Sequence, residues 1–248
     1  SDGVASYLTN SRGKIGRTFN LEEVTEGPQF YMPPVGSPNL SLDSAGNYII
    51  SAEHQTGILR VTVSPEGEEV SELKINLDHG TKVRKPDDIV TEIGNIFYVW
   101  QGLESDTYPN AVNSDIFAMI LDPEGAVLTS EFKINIDDSG DQTDPKVALL
   151  ANGNLAVIWE SNSDDNESSK IFGQIFSENG SLIGQQFRVN AEPSGTQQDA
   201  SIEALENGHF LVVYTDSSAL ESQVVAREFS STGVPLKTQN LGENADRE

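Results

Sequence analysis

The stretch SDIFAMILDPEGAVLTSEFKIN at 114–135 is written again at 169–190 as SKIFGQIFSENGSLIGQQFRVN, fifty-five positions on. A chain that repeats itself at such a period builds its fold from like units, each too small to bury its own apolar face. The first strand of the repeat reads VASYLT from Val4, ILRVTV from Ile58, IFAMIL from Ile116, IFGQIF from Ile171 and VVAREF from Val224, with starts 54, 58, 55 and 53 residues apart. Each runs into a turn that ends in glycine, at Gly13, Gly67, Gly125, Gly180 and Gly233. Tight hairpins need the positive φ that glycine accepts. The returning strand ends at an asparagine in every copy: Asn20, Asn76, Asn135, Asn190 and Asn240.

A second hairpin lies between these modules and occurs four times, turning at Gly46, Gly94, Gly153 and Gly208. The strand after that glycine is apolar at nearly every position and places Ala52, Trp100, Trp159 and Tyr214 at one offset. Such a run, rich in β-branched and aromatic residues, reads as a strand covered on both faces. With no helical periodicity and four short strands per unit, the pattern predicts an all-β chain, a β-propeller of four-stranded blades. The expected blades lie near 38–77, 86–135, 145–190 and 199–240 of one domain spanning 1–248. Residues 4–20 are an extra half-blade hairpin, so a ring of five blades is expected once a continuation past Glu248 supplies the missing half. Four blades with an added hairpin, or a row of β-sandwiches, are the competing arrangements.

The segment EFKINIDDSGDQTDPKVALLANGNLAVIWES, continued by KIFGQIFSENGSLIGQQFRVN, resembles the tandem repeats of large secreted and surface-anchored microbial proteins. Their unit reads roughly VN…GDQ…P.VA.L.DG.FVVVW.S…I.AQ.F…G…G.EF.VN. The resemblance is good over 114–241, fair over 57–113 and weak over 1–56. It implies an extracellular or cell-surface propeller-like module, often in calcium-using adhesive proteins, and no particular ligand.

The formal net charge of −24, from 39 acidic and 15 basic residues, repels phosphate backbones and anionic headgroups, so nucleic acid and membrane surfaces are poor partners. Apolar runs such as IFYVW fall far short of the roughly 18 residues a membrane helix needs. The absence of cysteine removes disulfides, thiolate chemistry and cysteine-based zinc sites. His54, His79 and His209 share no ligand spacing, and HExxH, GxSxG and P-loop patterns are missing.

Strands of a blade alternate in direction, so both glycine turns fall on one face of the disc and all longer connections on the other. Binding concentrates on such loops. Two acidic loops land there, one with Asp137, Asp138, Asp141 and Asp144, the other with Glu160, Asp164, Asp165, Asn166 and Glu167. Clustered acids of this kind supply the oxygen ligands calcium takes, and a calcium site is expected at Asp137, Asp138, Asp141, Asp144, Asp164 and Asp165. The same acids also read as solvated turn formers. A second constellation, Asp87, Asp88, Asp144 and Asp199, stands at the starts of the apolar hairpins and would ring the channel mouth, as the paired acids of glycosidases flank a pocket.

Trp100, Trp159 and Tyr214 share one register and read as wedges between blades; Tyr31 and Tyr108 are candidate exposed contacts. Asn39, Asn166 and Asn179 begin N-glycosylation sequons that matter only in a secreting eukaryote. The expected function is a non-enzymatic extracellular module for adhesion or assembly, meeting a protein or glycan partner or copies of itself on the loop-rich face. A lectin-like glycan binder is the second reading, a glycoside-cleaving propeller the third.

Overall fold

In the computed structural model, residues 36–54, 57–77, 82–103, 113–136, 140–162, 168–191, 195–218 and 222–241 are described. They form four antiparallel four-stranded meanders. The first holds β1 (Asn39–Leu42), β2 (Tyr48–His54), β3 (Gly57–Val63) and β4 (Glu69–Asn76). The second holds β5 (Lys82–Val90), β6 (Ile96–Leu103), β7 (Ser114–Leu121) and β8 (Val127–Lys133). The third runs through β9 (Gln142–Leu149), β10 (Leu155–Asn162), β11 (Ser169–Phe176) and β12 (Leu182–Arg188). The fourth runs through β13 (Gln197–Ala204), β14 (Phe210–Asp216), β15 (Gln223–Phe229) and β16 (Pro235–Leu241). The first strands β1, β5, β9 and β13 touch in sequence, whereas β4, β8, β12 and β16 pack chiefly on the strand just inside them. These are the blades of a β-propeller, entered at the axis and left at the rim. The half-blade expected at 4–20 lies outside the described residues.

Among the described residues the hairpin turns are eight copies of one device. In each, the glycine N–H donates to the carbonyl three residues back, and the residue before the turn pairs with the one after it, as in Leu150 N–H to Asn154 O at 2.8 Å and Gly153 N–H to Leu150 O at 2.9 Å. This is a type I turn closed by a left-handed bulge residue, and Gly153 meets that demand at φ 79°. In blades two and three the unit asparagine closes the opposite end of the blade. Asn135 Oδ1 accepts from Ile116 N–H at 2.8 Å and Asn190 Oδ1 from Ile171 N–H at 3.1 Å. An amide that both accepts and donates satisfies backbone where the outer pair of strands would fray.

The core lies in the seams between blades. One cluster joins Ile58 and Ile75 to Tyr98 and Trp100, a second joins Phe97 and Val99 to Val157 and Trp159, and a third joins Ile158 and Ile171 to Phe210 and Tyr214. Alternate residues of β6 thus serve opposite seams, which is why that strand is apolar throughout. Trp100 and Trp159 are completely buried and stack on Phe117 and Phe172 at 6.2 and 6.4 Å. They are wedges between blades. Blade four departs from this pattern: β14 is buried at Phe210, Val212 and Tyr214 but only half-buried at Leu211, Val213 and Thr215. Its far side is uncovered among the described residues.

Candidate functional site

The strands nearest the axis share a defect that builds the mouth. Lys85 with Pro86, Asp144 with Pro145, and Asp199 with Ala200 each stand two residues against one, opposite Trp100, Trp159 and Tyr214. The first residue of every bulge is left-handed, at φ 47°, 53° and 57°, and Ser37 before Pro38 repeats the conformation at φ 43° in the first blade. Aspartate tolerates this region better than most side chains because its short polar arm bonds locally. Each bulge throws one side chain toward the mouth on the loop-rich face.

In blades one and three the residue after the wedge position, which is Ala52 in the first and Trp159 in the third, braces the next blade. Glu53 Oε1 accepts from Lys85 N–H at 2.8 Å, and Glu160 Oε1 accepts from Asp199 N–H at 2.6 Å. Lys85 Nζ is ion-paired with Asp144 Oδ1. Two adjoining clefts of about 520 and 370 Å³ open here, and Lys85, Asp144, Glu160 and Gln198 line both. Arg84, Thr143 and Asn162 complete one wall, with Lys146 and Asp199 on the other. Glu160 is only 8% exposed. Burial, and then the nearby carboxylates of Asp144 and Asp199, push its carboxyl above the usual range, against the opposing pull of the Asp199 and Ala200 N–H groups.

The expected acidic ring is therefore corrected. Asp144 and Asp199 reach the mouth, but Asp87 and Asp88 follow their bulge rather than occupy it, in register with Lys146 and not with Asp144. Both are buried in the seams, 9% and 3% exposed. Asp87 Oδ2 accepts from Val147 N–H of blade three at 2.9 Å. Asp88 turns the other way and takes Ser41 Oγ–H at 2.5 Å and Asn39 Nδ2–H at 3.2 Å from blade one. Burial raises both carboxyls, that of Asp87 to about 6, with Lys146 pulling it down. The mouth position in blade two belongs to Lys85. Sequence reading placed Glu160 only in an acidic loop; its place directly after the wedge Trp159 was the available signal.

Of the expected calcium ligands, Asp137, Asp138, Asp164 and Asp165 lie outside the described residues. Asp141 Oδ1 accepts from Ser114 N–H at 2.7 Å, and Asp144 is paired with Lys85. Among the described residues no group of three acidic or histidine side chains could hold a metal ion. Asn39 has its amide turned to Asp88, Asn179 is exposed at a turn, and Asn166 lies outside the described residues, as do Tyr31, Tyr108 and His79.

No family model and no curated protein matches the sequence. Solved structures do match the fold. The GH93 alpha-L-arabinofuranosidase of Fusarium graminearum with arabinobiose superposes with a TM-score of 0.62 at 12% identity, covering 87% of this chain and 69% of that one. A thermostable family-43 glycoside hydrolase gives 0.55 at 14% identity, covering 85% and 72%. The endo-arabinase from Bacteroides thetaiotaomicron gives 0.51 at 13%, covering 81% and 75%. At such identity the likeness carries the fold alone. These structures sharing the propeller are nonetheless enzymes, which overturns the expectation of a non-enzymatic module for adhesion or assembly.

Proposed function

We propose that this chain is a glycoside-cleaving propeller acting at the mouth on its loop-rich face. The observation that carries the reading is a buried glutamate, Glu160, in the wall of a polar cleft beside a second carboxylate, Asp144. Glycoside cleavage needs one carboxyl that keeps its proton and another that does not. Glu160 is the acid: it gives its proton to the glycosidic oxygen as the bond from the anomeric carbon breaks. Asp144 takes a proton from the water that completes the sugar, and the two oxygens of the original linkage and water end on separate products. The arabinan-acting and other glycoside-hydrolase propellers that share this fold support the reading. The resemblance of the repeats to those of secreted microbial proteins supports a site of action outside the cell. Among the described residues no helix is long and apolar enough to cross a membrane.

Release of reducing ends from a panel of plant and microbial polysaccharides tests it. The protein is expected to cleave at least one, and Glu160→Gln to lower the rate by about 10²–10⁴-fold with the melting curve retained. Because the working form of Glu160 is protonated, its activity falls as pH rises through that raised pKa. Failure to cleave any polysaccharide, or an unchanged rate in Glu160→Gln, would remove the reading.

A further inference from the structure

Three of the chain's 15 basic residues line the two adjoining clefts at the mouth of a molecule whose net charge is −24: Arg84 in the larger, Lys146 in the smaller and Lys85 in both. Lys85 answers Asp144. Arg84 is exposed, and its guanidinium makes no hydrogen bond or ion pair among the described residues. Lys146 is half-buried and feels the attraction of buried Asp87 without forming an ion pair among the described residues. The rest of the lining is the carboxyls of Glu160 and Asp199, the methyl of Ala200, and hydroxyl and amide groups, and among the described residues no aromatic ring faces either cleft. Neutral sugars are held largely by stacking their C–H faces on aromatic rings, as apolar bodies with polar rims are. This cleft offers charge in place of rings.

Resting on the glycoside-cleaving reading, we infer that the mouth receives an acidic glycan, with the carboxylate of a uronic acid unit held by Arg84 and Lys146 adding its charge from the adjoining cleft. A planar guanidinium presents two parallel N–H donors that match a carboxylate, and such charge-assisted pairs are roughly twice as strong as neutral hydrogen bonds. The overall negative charge does not forbid this. Exposed charges more than about 8 Å away are largely screened at physiological ionic strength, so the lining itself sets the field that a bound sugar meets, and there Lys85 answers Asp144, Glu160 is held toward its neutral form, and the Arg84 guanidinium is left to answer a ligand.

The test is calorimetric binding and reducing-end release with the intact protein on galacturonate, glucuronate and mannuronate oligosaccharides, each beside its carboxyl-reduced counterpart. At least one acidic member is expected to bind about tenfold more tightly than its reduced form, and added salt is expected to erode that preference. Arg84→Gln is expected to remove most of the preference while leaving the reduced sugar's binding and the melting curve unchanged. Cleavage of a neutral glycan with no acidic preference overturns this inference and leaves the glycoside-cleaving reading standing. Arg84-dependent binding of uronates without cleavage overturns that reading and keeps the acidic ligand. Preference for an acidic sugar that survives in Arg84→Gln, binding of sulfated sugars alone, or binding of nothing overturns the inference.

Discussion

Where a carboxyl group sits relative to the bulge decides whether it faces water or a seam, and its proton follows. Asp87, one residue beyond Pro86, is pushed to about 6 from 3.8 by burial, with repulsion from the Asp88 carboxyl on the strand's other face adding to it and Lys146 and the Val147 and Asp88 N–H groups pulling against it. A carboxyl whose pKa is raised by folding favours the folded state fully below its unfolded value and loses that contribution as pH climbs through the folded one. The stability of the wild type relative to Asp87→Asn is therefore expected to rise as pH falls from 7 to 4, by about 2 kcal/mol, since each tenfold gain in proton affinity on folding is worth about 1.4 kcal/mol and the unfolded carboxyl is itself partly protonated by pH 4. Urea titrations of both proteins across that range check it, and a flat difference would mean the carboxyl is not withheld from water. None of this was legible in the sequence, where Asp87 and Asp144 both precede an apolar run. Only the two-against-one register separates them.

At the scale of the element, turns and bulges use the same backbone region with different tolerance. Nothing lies within 4 Å of a Cβ added at Gly153, whose φ is 79°, so Gly153→Ala is expected to cost about 1 kcal/mol of conformational strain alone. A Cβ at Gly57 would stand 1.9 Å from the Ile75 carbonyl oxygen. Backbone cannot yield as a side chain can, so Gly57→Ala is expected to destabilise more, and a urea midpoint series on the two variants orders them. Asparagine shares aspartate's ease with the left-handed region, and Asp144→Asn and Asp199→Asn are expected to melt with the wild type, so any loss of activity reports chemistry. Turn glycines were readable in advance because spacing and residue type agreed. The bulges were not, since Lys85-Pro86, Asp144-Pro145 and Asp199-Ala200 look like linker ends until paired with their aromatic partners.

For the whole molecule, the repeat predicted sheets and wedges because every copy must bury the same strand, and it was silent on the mouth because the copies differ there. Trp159, buried between blades two and three and donating to Gln142 Oε1 at 3.0 Å, is expected to cost about 3–5 kcal/mol when cut to alanine, a loss that a denaturant midpoint would register. Because −24 charges repel one another, added salt is expected to raise the melting temperature even as it weakens acidic ligands. Asp87 and Asp88 carry a different consequence. Adjacent residues on a strand face opposite ways, so this one dipeptide grips Val147 on one side and Ser41 and Asn39 on the other. Blade two is thereby a keystone: a graft that exchanges it for a copy of blade three would keep the strands, the turns and the aromatic wedge, and would still release both neighbours.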